Sequence, residues 1–265
     1  KQLRHELSAY LGQLDLSQLI SGRDTPGDVG IGKTVENQLQ RTSLNDCFTA
    51  GCKRLTEALR VLAETTQTLN TTTAGKIEKL RYAAYTLEKD IIIFSDTYEK
   101  FKPVRLYIVI TNNLPADVIS LTHRCAAGGA DCIQLRAKDM ADDQLLALAF
   151  EFVKICKADA VLSVINDRLD IAVASGADGV HLGQNDLPLG QARKLQLAPL
   201  IMGKSTHSLE QLRTASLELP TYVGLGPVFA TPTKPTAEPV GLDYVTKAVE
   251  VLADTGIGHV AIGGI

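Results

Sequence analysis

The chain has 265 residues, of which 45% are hydrophobic and 22% charged, a composition typical of a globular protein with room for one large or two medium domains. Its net charge of −3 lacks the basic excess of nucleic-acid-binding proteins, so we expect no nucleic-acid partner. No apolar run approaches the roughly 20 residues of a membrane-spanning helix, and no signal-peptide core is visible at the N-terminus. We therefore expect no membrane partner and a cytoplasmic location.

The five cysteines predict neither a disulfide framework nor a zinc site. Their number is odd, and no two of them form a CxxC pair. We expect them to be reduced and mostly buried, as small apolar side chains are in cytoplasmic proteins. They are Cys47, Cys52, Cys125, Cys132 and Cys156.

The first hundred residues are predicted to form a small all-helical domain, residues 1–100. Apolar residues recur every three or four positions over three stretches, which is the period of an amphipathic helix. The predicted helices cover residues 4–20, 44–67 and 75–93, and the polar run 70–75 is expected to be a loop.

A glycine-rich loop separates the first two predicted helices. Residues 21–32 contain four glycines and a proline, a composition that neither a helix nor a strand tolerates. Residues 27–34 match the nucleotide-binding pattern GxxxxGKT, yet no apolar strand precedes them, and that pattern requires one. We therefore predict a structural or substrate-capping loop, with phosphate binding as the alternative.

From residue 104 onward, short apolar runs alternate with helical stretches. The predicted strands cover residues 105–110, 132–135, 161–165, 180–182, 200–202, 222–225 and 259–262. Such alternation indicates a parallel sheet. Seven units in succession favour a (β/α)8 TIM-type barrel over an open dinucleotide-binding sheet, since no glycine-rich fingerprint follows the first strand. We predict that residues 104–265 form this barrel. Its last strand and helix are missing from the sequence, so we expect either that the chain is a fragment or that another element fills the gap.

Two carboxylates, Asp167 and Asp186, follow the third and fourth predicted strands. Because the carboxyl-terminal ends of neighbouring parallel strands meet at one edge of the sheet, the two side chains can share a divalent ion, and hard oxygen ligands suit Mg²⁺. The alternative is that Asp167 caps the next helix and Asp186 lies in an ordinary turn.

Further candidate residues lie at the ends of the predicted strands or in the loops that follow them, where the active sites of such barrels lie. They are Gln134, Arg136, Lys138, Asn166, Ser205, Thr231, Thr233, Lys234, Gly263 and Gly264. Cations beside a metal site suit the binding and departure of a diphosphate. A glycine pair after the seventh strand suits a phosphate monoester held by backbone amides.

Simpler roles remain open for several side chains near these strand ends. Arg136 and Lys138 are alternatively surface residues paired with a neighbouring aspartate, and Ser205 alternatively caps the next helix. His181 and His207 are expected to pack or to form hydrogen bonds rather than to act in catalysis.

Six motifs, in this order, resemble those of the thiamine-phosphate synthase (thiamine-phosphate pyrophosphorylase) family. They are QLRAK from Gln134, ND from Asn166, GVHLGQ from Gly179, GKSTH from Gly203, GLGPVF from Gly224 with TPTK from Thr231, and IGGI from Ile262. The resemblance covers about residues 105–265. It implies a transferase that condenses 4-amino-2-methyl-5-(diphosphooxymethyl)pyrimidine with 4-methyl-5-(2-phosphooxyethyl)thiazole and releases pyrophosphate.

The resemblance also implies roles for individual residues. The pyrimidine diphosphate would be held by Gln134, Arg136, Lys138, Asn166 and Lys234, with Ser205 donating to its phosphate. The thiazole phosphate would be held by Thr231, Thr233 and Gly264, and Mg²⁺, the implied cofactor, by Asp167 and Asp186. The catalytic residues would be Arg136, Lys138, Ser205 and Lys234. The implied mechanism is dissociative, through a pyrimidine-methyl cation, and it requires no general base.

Other functions remain open at this point. A thiazole tautomerase-like relative would share the barrel, and a non-catalytic sensor of thiamine intermediates would use the same pocket. The N-terminal helical part resembles an extension ahead of some synthases, which implies a module for the preceding pyrimidine-phosphate kinase step. The sequence leaves a homo-oligomer open.

Overall fold

The computed structural model describes residues 2–14, 24, 26–27, 41–111, 114–195, 198–233 and 237–265. Most of the predicted loop 21–32, and with it any phosphate-binding or capping role, lies outside this part of the chain. The chain divides into two compact units, Lys1–Ile92 and Ile93–Ile265, which are described separately. In the described ranges, no helix is long and apolar enough to cross a membrane.

The first unit is helical, as predicted. Within the described residues, its helices are α1 (Gln2–Leu11), α2 (Leu44–Gln67) and the larger part of α3 (Thr71–Phe101). The hydroxyl of Ser43 accepts a hydrogen bond from the backbone N–H of Asp46 at 3.1 Å, which caps the start of α2. The buried side chains of Leu59, Ala63, Ile77 and Ala84 form a small core.

The boundaries of α1 and α3 differ from the predicted ones. The first helix ends at Leu11, and the predicted extension over residues 15–20 lies outside the described residues. The predicted loop 70–75 is wrong, because α3 begins at Thr71. The side-chain oxygen of Asn70 accepts from the backbone N–H of Thr73 at 2.9 Å, so the polar run starts the helix instead of interrupting it.

The second unit contains a parallel sheet whose strands follow chain order, β1-β2-β3-β4-β5-β6-β7 within the described residues. The strands are β1 (Tyr107–Thr111), β2 (Cys132–Arg136), β3 (Leu162–Asn166), β4 (Gly179–Leu182), β5 (Ile201–Thr206), β6 (Tyr222–Leu225) and β7 (Gly258–Ala261). The helices between them are α4 (Pro115–Ala127), α5 (Asp142–Ala158), α6 (Leu169–Ser175), α7 (Leu189–Leu195), α8 (Leu209–Leu217) and α9 (Gly241–Leu252). The predicted α/β class with a parallel sheet is confirmed, whereas the closed eight-stranded barrel stays a prediction.

Alternate residues of each strand face opposite sides of the sheet. On one side, residues such as Ile133 and Leu135 pack with the helices in the main core. On the other side, Cys132 and Tyr222 belong to an inner cluster that also contains Phe101, the last residue of α3. The ring of Phe101 stacks on that of Tyr222 with centroids 4.3 Å apart. The inward-facing residues that follow this cluster along the strands therefore lie nearer the carboxyl-terminal ends of the strands.

The five cysteines are free, as predicted. The expectation that most of them are buried holds for Cys132 and Cys156, but Cys52 and Cys125 are only partly buried and Cys47 is exposed.

Candidate active site

A cavity lies at the carboxyl-terminal ends of the strands, and side chains or backbone from all seven strands, or from the loops that follow them, line it. Six predicted site residues contribute to its wall: Gln134, Arg136, Asn166, Ser205, Thr231 and Thr233. Gly263, which has a left-handed φ of 95°, also lines the cavity. Lys234 lies outside the described residues, so the structure says nothing about its predicted role.

Gln134 presents an unusual donor to this cavity. Its side chain is only 4% exposed, and its Nε2 has no hydrogen-bond partner among the residues that the structure describes. A buried amide without a partner is costly in free energy. The side chain is therefore suited to a ligand that supplies a hydrogen-bond acceptor.

The two predicted metal ligands lie together beside the cavity. Burial raises the pKa of Asp186, and a side-chain hydrogen bond with Asp167 raises it further, while the backbone N–H of Gly183 opposes the shift. The ammonium of Lys138 lies 3.1 Å from the carboxylate of Asp167. Because two carboxylates in contact repel each other unless a proton or a cation lies between them, this pair is suited to a positive ion.

The alternative roles of these acidic residues are only partly realised. The cap residue of α6 is Arg168, and its cap uses no side-chain hydrogen bond, so a capping role for Asp167 is wrong. Asp186 does close a turn, since its carboxylate accepts from the backbone N–H of Gly183 at 2.6 Å. Across the described ranges, no group of three or more His, Cys, Asp or Glu side chains could hold a metal ion. A metal at this site would have these two carboxylates as its protein ligands.

Lys138 and the neighbouring Asp142 form ion pairs with other residues and not with each other. Asp142 pairs with Arg168 and not with Lys138, whose ion pair is with Asp167. Arg136 is partly buried at the end of β2 and lines the cavity. Both cations thus lie where a bound anion would meet them.

Ser205 does not cap the helix that follows it. The hydroxyl of Ser208 caps α8 by accepting from the backbone N–H of Gln211 at 3.2 Å. The hydroxyl of Ser205 instead lies 2.9 Å from Nε2 of His181, whose Nδ1 lies 3.0 Å from the hydroxyl of Tyr222. Ser205 therefore lies at the end of a buried polar network.

The network extends to a fourth side chain, which the sequence analysis missed. The hydroxyls of Tyr107 and Tyr222 lie 2.7 Å apart, and burial raises the pKa of both phenols well above the ordinary value, so both stay protonated. Their positions along the strands could have revealed both tyrosines. Each is the first residue of its strand, β1 or β6, and its side chain faces the same inner side of the sheet as Gln134 and Ser205. His181 forms hydrogen bonds, as expected, and His207 bonds to the carbonyl of Gly226 through Nδ1.

The loops after β6 and β7 form the remaining wall of the cavity. The backbone N–H of Phe229 donates to the carbonyl of Gly263 at 2.9 Å. A Cβ added to Gly264 would lie 2.7 Å from the carbonyl oxygen of Ala230, so only glycine fits there. Gly264 itself is next to the cavity wall and is not part of it.

The fold and the cavity define a class of protein, an α/β protein with a cavity at the carboxyl-terminal ends of its parallel strands, where enzymes of this architecture have their active sites. The family of thiamine monophosphate synthase matches residues 106–265, and the ThiD2 family matches residues 1–90. The chain belongs to the thiamine monophosphate synthase family. It is therefore a transferase, as the sequence predicted.

Individual relatives agree with this assignment. Thiamine-phosphate synthase of Gloeobacter violaceus is 37% identical over 259 residues, which are 98% of this chain and 74% of the relative. The synthase of Rhodopirellula baltica is 35% identical over 292 residues, covering 100% of this chain and 78% of the relative. A solved structure, thiamine phosphate pyrophosphorylase from Pyrococcus furiosus, is 32% identical with a TM-score of 0.55, over 61% of this chain and 76% of that chain.

Proposed function

We propose that the domain predicted over residues 104–265 condenses the pyrimidine diphosphate with the thiazole phosphate and releases pyrophosphate, giving thiamine monophosphate. The observation that carries this proposal is the cavity wall, where Gln134, whose buried Nε2 has no partner among the described residues, lies with Arg136 and Ser205. An amide donor suits a ring nitrogen of the pyrimidine. A guanidinium and a hydroxyl suit its diphosphate.

The proposal assigns a separate set of residues to each of the two substrates. In this proposal Gln134 and Asn166 hold the pyrimidine, and Arg136, Lys138 and Lys234 hold the diphosphate. Thr231, Thr233 and Gly264 hold the thiazole phosphate, with backbone amides near the glycine pair as further donors. The proposed closed (β/α)8 barrel would place all of these groups around one mouth.

The carboxylates Asp167 and Asp186 fit Mg²⁺, because oxygen ligands suit this ion and because their mutual contact already favours a positive charge between them. When bound, Mg²⁺ supplies positive charge to the diphosphate. Lys138 lies against Asp167, so it contributes a second positive charge at the same place.

The reaction needs stabilisation of a leaving group and no general base. The bond between the methylene carbon and the diphosphate oxygen breaks, its electron pair leaves with pyrophosphate, and the thiazole nitrogen attacks the cation that remains. Arg136, Lys138 and Lys234 offset the charge that grows on the departing oxygens, and Ser205 donates a hydrogen bond to them. The buried wall of the cavity keeps water from the cation.

Replacement of one carboxylate tests this proposal. In the full-length protein, Asp167→Ala should lower Mg²⁺-dependent pyrophosphate release by about 100-fold or more, because the metal site loses half of its protein ligands. Asp143→Asn is the matched control, since Asp143 is an exposed carboxylate in the first turn of α5, and its release rate should equal that of the wild type.

Two outcomes would contradict the proposal. Wild-type release by Asp167→Ala would exclude the metal role of the carboxylates. Tight binding of both substrates by the wild-type protein without any product would favour the sensor. The homo-oligomer, the cytoplasmic location and the kinase role of residues 1–100 stay predictions.

A further inference from the structure

Four hydrogen-bonded side chains from β1, β6, β4 and β5 run through the interior of the sheet and end at the cavity. The order is Tyr107, Tyr222, His181 and Ser205. The geometry points to a positioning chain: Tyr107, Tyr222 and His181 fix the direction of the Ser205 hydroxyl, so that its hydrogen is reserved for an oxygen of the bound diphosphate. This inference rests on the proposed function.

The sheet leaves space for this chain by placing glycine beside it. The strand register sets His181, Gly203 and Tyr222 side by side on β4, β5 and β6. A Cβ on Gly203 would lie 2.2 Å from Cζ of Tyr222 and 2.6 Å from Nδ1 of His181. A Cβ on Gly224 would lie 3.1 Å from Cε1 of His181. The two rings therefore meet across bare backbone and have little room to move.

The ring of Phe101 stacks on Tyr222 and limits the movement of this member of the positioning chain. Its plane is 5° from that of Tyr222, and Phe101 is itself buried. The ring of Tyr222 is thus stacked on Phe101, and its hydroxyl lies 3.0 Å from Nδ1 of His181. Side chains locked in this way can hold a hydroxyl within the narrow range of directions that a transition state requires.

Counting hydrogens identifies the direction of donation that leaves the hydroxyl of Ser205 able to donate to the diphosphate. Each phenol and the neutral imidazole carries one hydrogen. When Tyr107 donates to Tyr222, Tyr222 to Nδ1, and Nε2–H to Ser205, all three hydrogens are used, and that of Ser205 stays available. The opposite direction uses the hydrogen of Ser205 inside the network and leaves the hydrogen of Tyr107, which lines the same cavity, without a partner inside the network.

The consequence for the reaction is a hydrogen bond that strengthens as bond breaking proceeds. Negative charge grows on the departing oxygen, and a donor fixed in advance stabilises it without reorganisation. No proton is transferred, so Ser205 touches the substrate while the other three residues act through it. Loss of the hydrogen bonds that position Ser205 should therefore lower kcat more than it raises KM.

The direction of the chain can be measured without an activity assay. In ¹⁵N-labelled full-length protein, the ring nitrogens of His181 can be assigned by comparison with His181→Gln. We expect the hydrogen on Nε2. A hydrogen on Nδ1 would overturn the inference.

Tyr222→Phe then tests the role of the chain, because it keeps the stacked ring and removes only the hydroxyl. We expect kcat to fall about tenfold while KM for the pyrimidine diphosphate stays within about threefold. Tyr244→Phe is the matched control. The hydroxyl of Tyr244 donates to Thr206 at 2.8 Å, and Thr206 follows Ser205 on β5 but faces the helix side of the sheet. This control should keep wild-type kcat, and an equal loss in both variants would overturn the inference.

A double variant separates positioning from general stability. In a Ser205→Ala background, Tyr222→Phe should have no further effect on kcat, because the group that it positions is gone. A further tenfold loss of kcat would contradict the inference that Tyr222 acts through Ser205. Absence of turnover in the wild type would refute the proposed function alone, because the tautomer of His181 still decides the direction.

Discussion

Gly203→Ala should destabilise the sheet unit and disrupt the site, although it adds only one methyl group. The new Cβ would lie 2.2 Å from Cζ and 2.4 Å from the hydroxyl of Tyr222, distances that real Cβ atoms do not show. Tyr222 cannot retreat, because it is almost fully buried and stacked on Phe101. The ring must shift, and its hydrogen bonds to His181 and Tyr107 must lengthen or break.

The size of this effect can be estimated from its two parts. Overpacking of a close-packed interior costs about 1–3 kcal/mol. Loss of each buried hydrogen bond adds about 1 kcal/mol. With one or both hydrogen bonds lost, we expect the free energy of unfolding to fall by about 2–5 kcal/mol. Urea unfolding followed with far-ultraviolet circular dichroism would measure this fall, and kcat should fall with it.

Gly190→Ala provides the comparison. A Cβ on this glycine of α7 would meet no atom within 4 Å, so the variant should keep or raise the stability, by up to about 1 kcal/mol, since alanine favours helix. If Gly203→Ala were as stable as Gly190→Ala, the packing of His181 and Tyr222 against bare backbone would be refuted, and with it the rigidity that the positioning of Ser205 requires.

Two further predictions concern polar side chains of the second unit. Gln134→Leu should leave the stability unchanged or raise it by about 1 kcal/mol, because it removes an amide whose Nε2 has no partner among the described residues. Calorimetry should show that the variant binds the pyrimidine diphosphate at least about tenfold more weakly. Unchanged affinity would exclude Gln134 as a substrate ligand. Asp131 accepts from the backbone N–H groups of Leu106 and Arg105, which lowers its pKa, so its stabilising contribution is present near neutral pH and is lost as the pH falls through that lowered value, below about 3.8. Asp131→Asn should remove this part of the acid dependence in unfolding curves recorded at a series of pH values, and an unaltered dependence would show that another group is responsible.

The sheet was predictable because its strands are apolar and its connections short. Each predicted strand overlaps the observed one, yet β5 extends from Ile201 to Thr206 where the sequence suggested an end at residue 202. The polar run that follows, including Lys204 and Ser205, is buried in the sheet because each side chain finds a partner there. The ammonium of Lys204, for example, donates to the carbonyl of Gly183 at 2.7 Å. Hydrophobicity alone cannot detect a polar strand whose partners come from other strands.

Contacts between strands also limit how much of the site can be predicted from the sequence. The sequence placed Asp167 and Asp186 near each other from two local patterns, and the structure brings them into contact. It could not connect Tyr107 with Tyr222, which are 115 residues apart, because that contact depends on register across the whole sheet and on Gly203 between the rings. A glycine inside a strand weakens it in isolation. Its presence at an inward position therefore indicates that a neighbouring side chain needs the space, and here that side chain leads to the hydroxyl of Ser205.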